Sequence, residues 1–278
     1  MGPDMVAIGL VVGLDYTDPE LSVHDLLQEL KTHPLVRGLL AGGERVAWGA
    51  KTIPEGGFVA MPRSFHAPGV LMCGDGVGLV NVPALKGIHY AIESGRLAAE
   101  AAAAGALEEY DRALQESFVW RDLREVRNMR QAFGRGFWLG SAAAGAATVT
   151  KGRFPPKDKP TERDADQEVF AGGGSGGYPA PDGTLTFDKL SSVFLSGNRT
   201  RDDQPNHIRV QTRVPRELAE LWTHMCPAQV YEVGDADGDG TVEVRLAPSN
   251  CVQCGAITAK GGRLTPAEGG SGPEYTLT

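Results

Sequence analysis

Blocks of apolar and polar residues along the first half of the chain predict a strand followed by helices. Residues 5–14 (MVAIGLVVGL) form a continuous apolar run, which is typical of a buried strand. Residues 23–31 place apolar side chains on one helical face, and a His-Pro dipeptide after them predicts the end of that helix. A short strand is predicted over residues 69–73. Residues 82–105 and 107–131 then predict two longer helices, the second with charge pairs on a solvated face.

The second half of the chain contains a boundary and then short strands. Residues 152–181 hold a Pro-Pro pair, a run of charges and the stretch AGGGSGG, which is linker composition. Beyond it, QVYEV and TVEVRL are short strand patterns joined by turns. The chain is therefore predicted to be α+β, with a first domain over residues 1–155, a linker over residues 156–183 and a last domain over residues 184–278.

Composition and charge narrow the classes of function. The chain has 278 residues, 41% of them apolar, so it can bury the core of one large or two ordinary domains. Its formal net charge is −8 and it contains no block rich in lysine or arginine, which argues against a nucleic-acid partner. Four cysteines are too few for a disulfide framework, so a reducing compartment is expected.

Neither a signal peptide nor a membrane-spanning segment is predicted. The N-terminus lacks the basic region and the cleavage site of a secretory signal. The longest uncharged stretch, residues 136–150, is shorter than the roughly 20 apolar residues that a span needs. The aromatic cluster Phe133, Phe137 and Trp138, followed by Leu139, suits either contact with a lipid interface or packing of an Ala/Gly-rich helix. A peripheral membrane contact therefore stays open.

Three of the four cysteines are concentrated near the C-terminus in a pattern typical of soft-metal ligation. Cys226 precedes a proline, and Cys251 and Cys254 form a Cys-x-x-Cys pair. Small ferredoxin modules hold an iron–sulfur cluster with such a pair and a distant cysteine. A ferredoxin run would continue with a cysteine at position 257, where this chain has Ile257. The cysteines therefore predict one-electron chemistry at a cluster whose ligation is incomplete at one position.

Other interpretations of the same cysteines stay open. Together with His224, the three residues would suit a structural zinc site, and a Cys-x-x-Cys pair also occurs in redox dithiols. Plain buried cysteines are the third alternative. Cys73, far away at the end of the predicted short strand, is interpreted as an ordinary buried thiol.

A glycine-rich turn between that short strand and the next helix is a second candidate site. Gly74, Asp75, Gly76 and Gly78 would let a ligand approach the backbone closely, and the carboxylate could accept a hydrogen bond from a sugar-like hydroxyl. The pattern is typical of nucleotide-type cofactors, but it also fits a turn without a ligand. The usual Gly-x-Gly-x-x-Gly fingerprint after a first strand is absent from this sequence.

Taken in order, these segments resemble the C-terminal half of the electron transfer flavoprotein–ubiquinone oxidoreductases. The resemblance spans nearly the whole chain, and the order of its blocks is more specific than any single motif. The blocks are VVGLDYTDP, HPLVRGLLAGGERVAWGAKTIPEGGF, GDGVGLVNVPALKGIHYAIESGRLAAE, FVWRDLREVRNMR, PDGTLTFDKLSSVFLSGNRTRDDQPNH, MCPAQVYE, NCVQC and EGGSGP. The glycine-rich stretch near residues 172–177 is the main part without a match.

The resemblance implies an architecture and a set of partners. The family combines a flavin domain, a quinone-binding region and a ferredoxin-like cluster domain in one monotopic membrane enzyme, which passes electrons from reduced electron transfer flavoprotein to ubiquinone. For this chain it implies the C-terminal part of a FAD- and quinone-binding α/β domain, followed by a ferredoxin-like iron–sulfur domain. The implied partners are electron transfer flavoprotein and a membrane quinone. The implied location is peripheral, on the cytoplasmic face of the inner membrane.

The family's motifs also fall on individual residues. The resemblance implies that FAD contacts Gly74, Asp75, Gly76, Gly78, Asn81 and Gly87. It implies that a cluster, of the 4Fe–4S type in the family, is held by Cys226, Cys251 and Cys254. It implies that Tyr231 hydrogen-bonds near the cluster and favours its reduced state. The electron steps need no acid–base residue, so no catalytic side chain is predicted.

Two departures from the family pattern affect the expected function. Ile257 stands at the fourth cysteine position and Ala256 at a neighbouring threonine position, so a three-iron cluster, a non-cysteine fourth ligand and a domain without a cluster are all open. The family's N-terminal half is absent from this sequence, so FAD would be enclosed only with a second polypeptide, and a truncated or split product is expected. Competing functions are a ferredoxin-like carrier or docking module, and a zinc-bound or metal-free structural relic.

Overall fold

Short helices and small antiparallel sheets make up the described part of the chain, which in this computed structural model comprises residues 4–167, 177–201, 203–236 and 238–276. This mixture confirms the predicted α+β class. The helices, numbered in chain order, are α1 (Val23–Thr32), α2 (Pro34–Leu40), α3 (Ile88–Ala104), α4 (Glu109–Glu116), α5 (Phe118–Glu125), α6 (Met129–Ala132), α7 (Phe137–Val149), α8 (Lys189–Phe194) and α9 (Arg216–Met225). The strands are β1 (His66–Ala67), β2 (Val70–Leu71), β3 (Ile208–Arg209), β4 (Arg213–Pro215), β5 (Tyr231–Ala236), β6 (Thr241–Leu246) and β7 (Arg263–Leu264).

Contacts divide the chain into two compact units. The first unit contains the described residues up to Thr52 together with those from Arg163 onward. The second unit is the continuous segment Ile53–Glu162. The chain therefore leaves the first unit, builds the second and then returns to the first.

Each predicted domain is contiguous along the chain, whereas the first structural unit is not. Residues 1–155, 156–183 and 184–278 remain the functional division proposed from the sequence. Residues 168–176 of the linker, which include most of its glycine-rich stretch, lie outside the described residues. The structural grouping differs because Trp48 and Ala50 pack against the core of the C-terminal region. Sequence composition marks a linker, but it does not indicate that an earlier segment packs with a later one.

The core of the first unit lies between α9 and a three-stranded antiparallel sheet with the strand order β4, β6, β5. Val233 of β5 lies opposite Val244 of β6, and alternate residues of β6 face the core, so Val242 and Val244 are buried. These two strands confirm the predicted QVYEV and TVEVRL patterns. Trp222 of α9 completes the core, and its indole N–H donates to the carbonyl of Lys260 at 2.9 Å, which avoids the cost of an unpaired buried donor.

The second unit is helical apart from the β1–β2 hairpin. Its core is built from one face each of α3, α4 and α5, and it includes the fully buried side chains of Tyr110, Leu114 and Val119. The amphipathic spacing of these helices explains their packing, because apolar residues three and four apart lie on the same face. The predicted strand over residues 69–73 is present only as the two residues of β2.

The predicted buried strand over residues 5–14 is wrong. These residues form no strand in the structure, and Val6 and Val11 are 60% and 74% exposed. An apolar run becomes a strand only where a neighbour pairs with its backbone N–H and C=O groups, and no strand within the described ranges pairs with this run. At its end, Leu14 packs against the core of the first unit.

The helix predicted over residues 82–105 begins later than expected. Residues Val82–Ala84 form a separate 3₁₀ turn, and Leu85 follows with a left-handed backbone (φ +51°), which interrupts a regular helix. The continuous helix α3 starts only after this point. Its predicted end is confirmed, because Gly105 adopts the left-handed conformation that closes helices.

The helix predicted over residues 107–131 is divided into α4, α5 and α6. Ser117 between α4 and α5 has an extended backbone, and its hydroxyl donates to the carbonyl of Leu114 at 2.6 Å. This side chain satisfies a carbonyl at the end of α4 and replaces the bond that a continuous helix would make. The helix predicted over residues 23–31 is confirmed as α1.

Helix α7 exposes large apolar side chains to solvent. Phe137, Trp138 and Leu139 are 68%, 83% and 67% exposed, which is unusual for three consecutive residues of this kind. Gly140 lets the preceding turn fold back, because a Cβ at this position would lie 2.7 Å from a ring carbon of Phe133. None of the helices in the described ranges combines the length and the apolar character that a bilayer crossing requires.

His207 is a buried polar side chain of the first unit. It is 1% exposed, and neither ring nitrogen has a hydrogen-bond partner among the described residues. Its backbone is held in place, since the amide of Thr265 donates to its carbonyl at 2.8 Å. Burial lowers the pKa of the His207 imidazole, and the positive charge of Arg209 lowers it further.

We expect His207 to make the first unit sensitive to mild acid. A lowered pKa in the folded state means that the unfolded chain binds the proton more readily, so stability is lost as the pH falls below about 6.5, by at most about 1.4 kcal/mol per pH unit. In urea unfolding of the full chain at pH 7.5 and pH 5.5, His207→Met should lose less stability than the wild type. Equal losses in the two proteins would contradict this expectation.

Candidate functional site

Cys226 is placed at the end of α9 by the residue that follows it. Pro227 has no N–H and cannot continue the helix, so α9 ends at Met225 and Cys226 becomes its C-cap. The chain then turns through Gln229, whose backbone is left-handed (φ +49°). This turn directs the amide of Val230 back toward Cys226, where it donates to Sγ at 3.4 Å.

The β5–β6 hairpin returns the second cysteine loop to the same place. Tyr231, the first residue of β5, lies opposite the last residue of β6. A 3₁₀ turn over Pro248–Asn250 then leads directly to Cys251. The side-chain amide of Asn250 donates to the carbonyl of Gln229 at 3.1 Å, which ties the two cysteine loops together.

The loop that carries Cys254 is closed by residues from the early part of the chain. Thr52 donates to the carbonyl of Cys254 both from its amide, at 2.9 Å, and from its hydroxyl, at 2.7 Å. Lys51 donates to the carbonyl of Gln253 at 3.0 Å. Gly255 is left-handed (φ +92°), and a Cβ there would lie 2.7 Å from the Thr52 hydroxyl, so the close approach requires glycine. No local sequence pattern indicated these contacts, because they join residues about two hundred positions apart.

The three cysteines line one small cavity in the first unit. Tyr231 and Ile257 also form its wall, and Ile257 is 3% exposed. The remaining lining residues carry only apolar side chains or none: Met225, Ala228, Val230, Val252, Gly255, Ala256 and Leu264. The cavity therefore brings together three sulfur atoms, one phenol and a hydrocarbon side chain at the position where a ferredoxin run has its next cysteine.

Burial raises the pKa of all three thiols. It raises the pKa of Cys251 to about 12 and that of Cys254 to about 11, and neighbouring cysteines add to the increase. Burial also raises the pKa of Cys226. Hydrogen bonds from backbone N–H groups oppose this increase, and the largest of these opposing effects comes from Val230. Burial raises the pKa of Tyr231, and the charges of the three cysteines raise it further. Metal binding would have to displace these protons.

The described side chains around the cavity do not form a site for a single zinc ion. Within the described residues, no group of three or more histidine, cysteine, aspartate or glutamate side chains is arranged to hold a metal ion. A zinc site needs its sulfur ligands about 2.3 Å from one centre. His224, the candidate fourth zinc ligand, instead contacts the carbonyl of Pro19 with Nδ1 at 3.1 Å. A cluster sets a different requirement, because its separate iron atoms take one sulfur each and the sulfur atoms need not surround one metal ion.

Two lysines that sequence reasoning missed lie near the thiols. Burial lowers the pKa of Lys189, and the charge of Cys226 opposes that decrease. The charge of Lys51 lowers the pKa of Cys251 and Cys254 against the dominant effect of burial. Positive charge near a bound cluster would favour its more negative, reduced state.

The glycine-rich turn forms a separate feature of the second unit. Gly74 and Gly78 have positive φ angles (+79° and +83°) and flank a 3₁₀ turn over Asp75–Val77. The amide of Gly74 donates to the hydroxyl of Ser94 at 3.0 Å, which anchors the turn to α3. Asp75 and the adjoining Gly76 are exposed. The turn therefore offers a carboxylate and glycine backbone to solvent.

The remaining residues predicted near FAD lie on the connection from this turn to α3. The side-chain carbonyl of Asn81 accepts a hydrogen bond from the amide of Ala84 at 3.2 Å and caps a 3₁₀ turn. Gly87 is the residue immediately before α3. The interpretation of Cys73 as a buried thiol is wrong, because it follows a short hairpin rather than a core strand and is exposed. Contact of these residues with FAD stays a prediction.

Two family models match separate parts of this chain. The model described as electron transfer flavoprotein-ubiquinone oxidoreductase, 4Fe-4S, matches residues 183–276, which contain the cysteine cavity. The model described as ETF-QO, ubiquinone-binding, matches residues 1–53. Thr52, which closes the Cys254 loop, belongs to the second match, so both matched segments contribute to one compact unit.

Proteins from several organisms are similar to this chain along its whole length, and each is called electron transfer flavoprotein-ubiquinone oxidoreductase, mitochondrial. The Arabidopsis thaliana protein is 38% identical over 295 residues, which are 100% of this chain and 46% of the relative. The Oryza sativa protein is 38% identical over 98% of this chain and 50% of the relative, and the Homo sapiens protein 35% identical over 99% and 49%. The chain thus spans about half the length of the curated relatives it matches. With two matching family models and this similarity, the chain belongs to the electron transfer flavoprotein-ubiquinone oxidoreductase family, of which it corresponds to the C-terminal half.

Proposed function

We propose that this chain is part of an electron transfer flavoprotein:ubiquinone oxidoreductase, which passes electrons from reduced electron transfer flavoprotein, via FAD and an iron–sulfur cluster, to a membrane quinone. The observation that carries the proposal is the shared cavity of Cys226, Cys251, Cys254 and Tyr231. Buried sulfur ligands with backbone N–H groups directed at them are what a cluster needs in order to accept negative charge. The protein's role is to position the cofactors and tune their potentials.

The contact between the two matched segments supports an electron path to a quinone. Thr52 lies in the segment matched by the ubiquinone-binding model, and it donates two hydrogen bonds to the carbonyl of Cys254. A rigid connection of this kind keeps the cluster loop at a constant distance from the quinone-binding segment. A constant distance between the cluster and the quinone favours a constant rate of electron transfer between them.

FAD is proposed to contact the glycine-rich turn and the connection to α3, at Gly74, Asp75, Gly76, Gly78, Asn81 and Gly87. The exposure of the Asp75 carboxylate supports this, since a hydrogen bond to a ribose hydroxyl requires an accessible acceptor. The rest of the flavin site would come from a polypeptide that corresponds to the part of the relatives outside this chain. The exposed apolar side chains of Val6 and Val11 offer a surface for such a partner.

A peripheral position on the cytoplasmic face of the inner membrane is proposed for this chain. Phe137, Trp138 and Leu139 project from α7 into solvent. Tryptophan is enriched at membrane–water interfaces, where an apolar ring with one polar N–H is favourable. Helix α7 would then lie at the interface and give the enzyme access to a lipid-soluble quinone.

The proposal is tested by preparing the full chain anaerobically, with and without a polypeptide that matches the N-terminal half of a relative. We expect bound iron and sulfide in the chain, flavin that co-elutes with the pair, and reduction of a ubiquinone analogue by reduced electron transfer flavoprotein only with the pair. Cys251→Ser should abolish the cluster and the activity, while Cys73→Ser, a change at the exposed cysteine, should keep both.

Two other outcomes of this experiment would contradict the proposal. Stoichiometric zinc without sulfide would favour a structural role. Iron and sulfide without flavin or quinone reduction would favour a ferredoxin-like carrier or docking module.

We expect Tyr231→Phe to make the potential of the cluster more negative. Loss of one hydrogen bond to the reduced cluster removes about 1 kcal/mol, which corresponds to a shift of about 40 mV for a one-electron couple. A redox titration followed by electron paramagnetic resonance measures the shift. Tyr275→Phe is the matched control, because the Tyr275 hydroxyl contacts the backbone of Ala50, and its shift should be smaller. A Tyr231→Phe shift no larger than the control would contradict the assignment.

We expect the double variant Phe137→Ser/Trp138→Ser to bind phospholipid vesicles at least about 10-fold more weakly than the wild type. Burial of one such side chain contributes roughly 1.5–3 kcal/mol to the free energy of binding. The loss of two should therefore strongly reduce the fraction of protein bound to vesicles. Co-sedimentation with vesicles measures the effect. Phe194→Ser provides the control, since Phe194 is 84% exposed on α8 and is not part of the α7 cluster. Equal binding of the double variant and the control would argue against a membrane role for α7.

A further inference from the structure

We propose that the cysteine cavity assembles a three-iron cluster held by Cys226, Cys251 and Cys254, instead of the four-iron cluster named in its family model. The proposal deepens the function above and rests on it, because it presupposes that this cavity holds an iron–sulfur centre. It concerns the position where a four-iron cluster would have its fourth iron and that iron's protein ligand, called the fourth corner. The relevant residue there is Ile257.

Ile257 occupies the position from which a fourth thiolate would reach the cluster. It follows Cys254 by three residues, the spacing of the ferredoxin run. In the structure it lies on the 3₁₀ turn Ala256–Ala259, is 3% exposed and lines the same cavity as the cysteines. Its side chain contains only carbon and hydrogen and has no electron pair to donate to iron.

Ile257 is packed in this position and is not a side chain that could rotate away to admit another ligand. The space beside it comes from Gly262, where a Cβ would collide with Ile257 and would lie 2.7 Å from a methyl carbon of Val210. Side chains packed this closely against their neighbours resist large rotamer changes. The fourth corner is therefore occupied by a fixed hydrocarbon group.

No other side chain of the cavity replaces the missing thiolate. The lining contains no histidine, aspartate or glutamate among the described residues, and Tyr231 is its one oxygen-bearing side chain there. The cavity wall at Ile257 also has no polar side chain that could hold and orient a water ligand on iron. A fourth iron would have sulfide neighbours on one side and carbon on the other.

Each of the three other irons would have a cysteine ligand. Each iron of a three-iron core can take one cysteine sulfur, and the amide of Val230 donates to Cys226 Sγ. Lys51, which donates to the carbonyl of Gln253 between Cys251 and Cys254, adds positive charge beside their loop. A three-iron core keeps the capacity to accept and release one electron, so the proposed electron-transfer role does not require the fourth iron.

The wild-type full chain tests the proposal without any substitution. After anaerobic reconstitution with ferric iron, sulfide and a thiol reductant, followed by oxidation with ferricyanide, we expect three irons for every four sulfides. The oxidised protein should be paramagnetic, with a resonance close to the free-electron position, whereas an oxidised four-iron cluster is silent and becomes paramagnetic only on reduction. Mössbauer spectra should contain the iron environments of a three-iron core and no fourth site.

Substitutions at position 257 provide the matched comparison. Ile257→Cys should convert the cluster to the four-iron form, with one iron per sulfide and loss of the resonance of the oxidised state. Ile257→Val, which keeps a hydrocarbon side chain, should retain the three-iron form. Tyr231→Phe should retain it as well, which excludes the phenol as the fourth ligand.

The outcomes separate this inference from the proposed function. Four irons per four sulfides in the wild type would overturn the three-iron assignment and leave the proposed function intact. Loss of the three-iron signature in Tyr231→Phe would also overturn the assignment of three cysteines as the ligand set. Failure of the wild type to take up any iron and sulfide would overturn both the assignment and the proposed function.

Discussion

The register of the β5–β6 hairpin is the constraint on which the cysteine cavity depends. Tyr231 opens β5 opposite the last residue of β6, so the chain leaves the hairpin beside the place where it entered. A shift by one residue would turn the buried face of the strands outward. It would also move Cys251 away from Cys226, because each of these residues lies only about five positions beyond one end of the hairpin. Burial of Val242 and Val244 therefore stabilises the site as well as the sheet.

The hairpin alone does not complete the cavity, because the loop with Cys254 needs support from another part of the chain. Thr52 provides two hydrogen bonds to its carbonyl, and Gly255 has no Cβ that would obstruct them. This contact joins the two separate segments of the first unit. A segment matched by a ubiquinone-binding model and a segment matched by a 4Fe-4S model share one core, which agrees with the proposed transfer of electrons toward a quinone.

Ile257 stabilises the fold by its packing, but it cannot serve as a ligand of the cluster. Its side chain fills space beside Gly262 and extends the apolar wall of the cavity, which stabilises the fold. The same substitution leaves the fourth corner without a ligand. A cluster with three protein ligands is consistent with both facts. The surrounding lysines and backbone amides are placed near the three thiols, where the negative charge of such a core would lie.

Local sequence patterns determined the elements whose partners are close along the chain. They include α1, the end of α3 at Gly105, the two strands of the hairpin and the clustering of the three cysteines, because helix caps, alternation and ligand spacing act over a few residues. Only the tertiary structure decided features that depend on distant partners. The apolar run at residues 5–14 is no strand because none in the described ranges pairs with it, and Thr52 closes the Cys254 loop across two hundred positions. Such contacts leave no local periodicity, since each depends on which surfaces meet after the chain has folded.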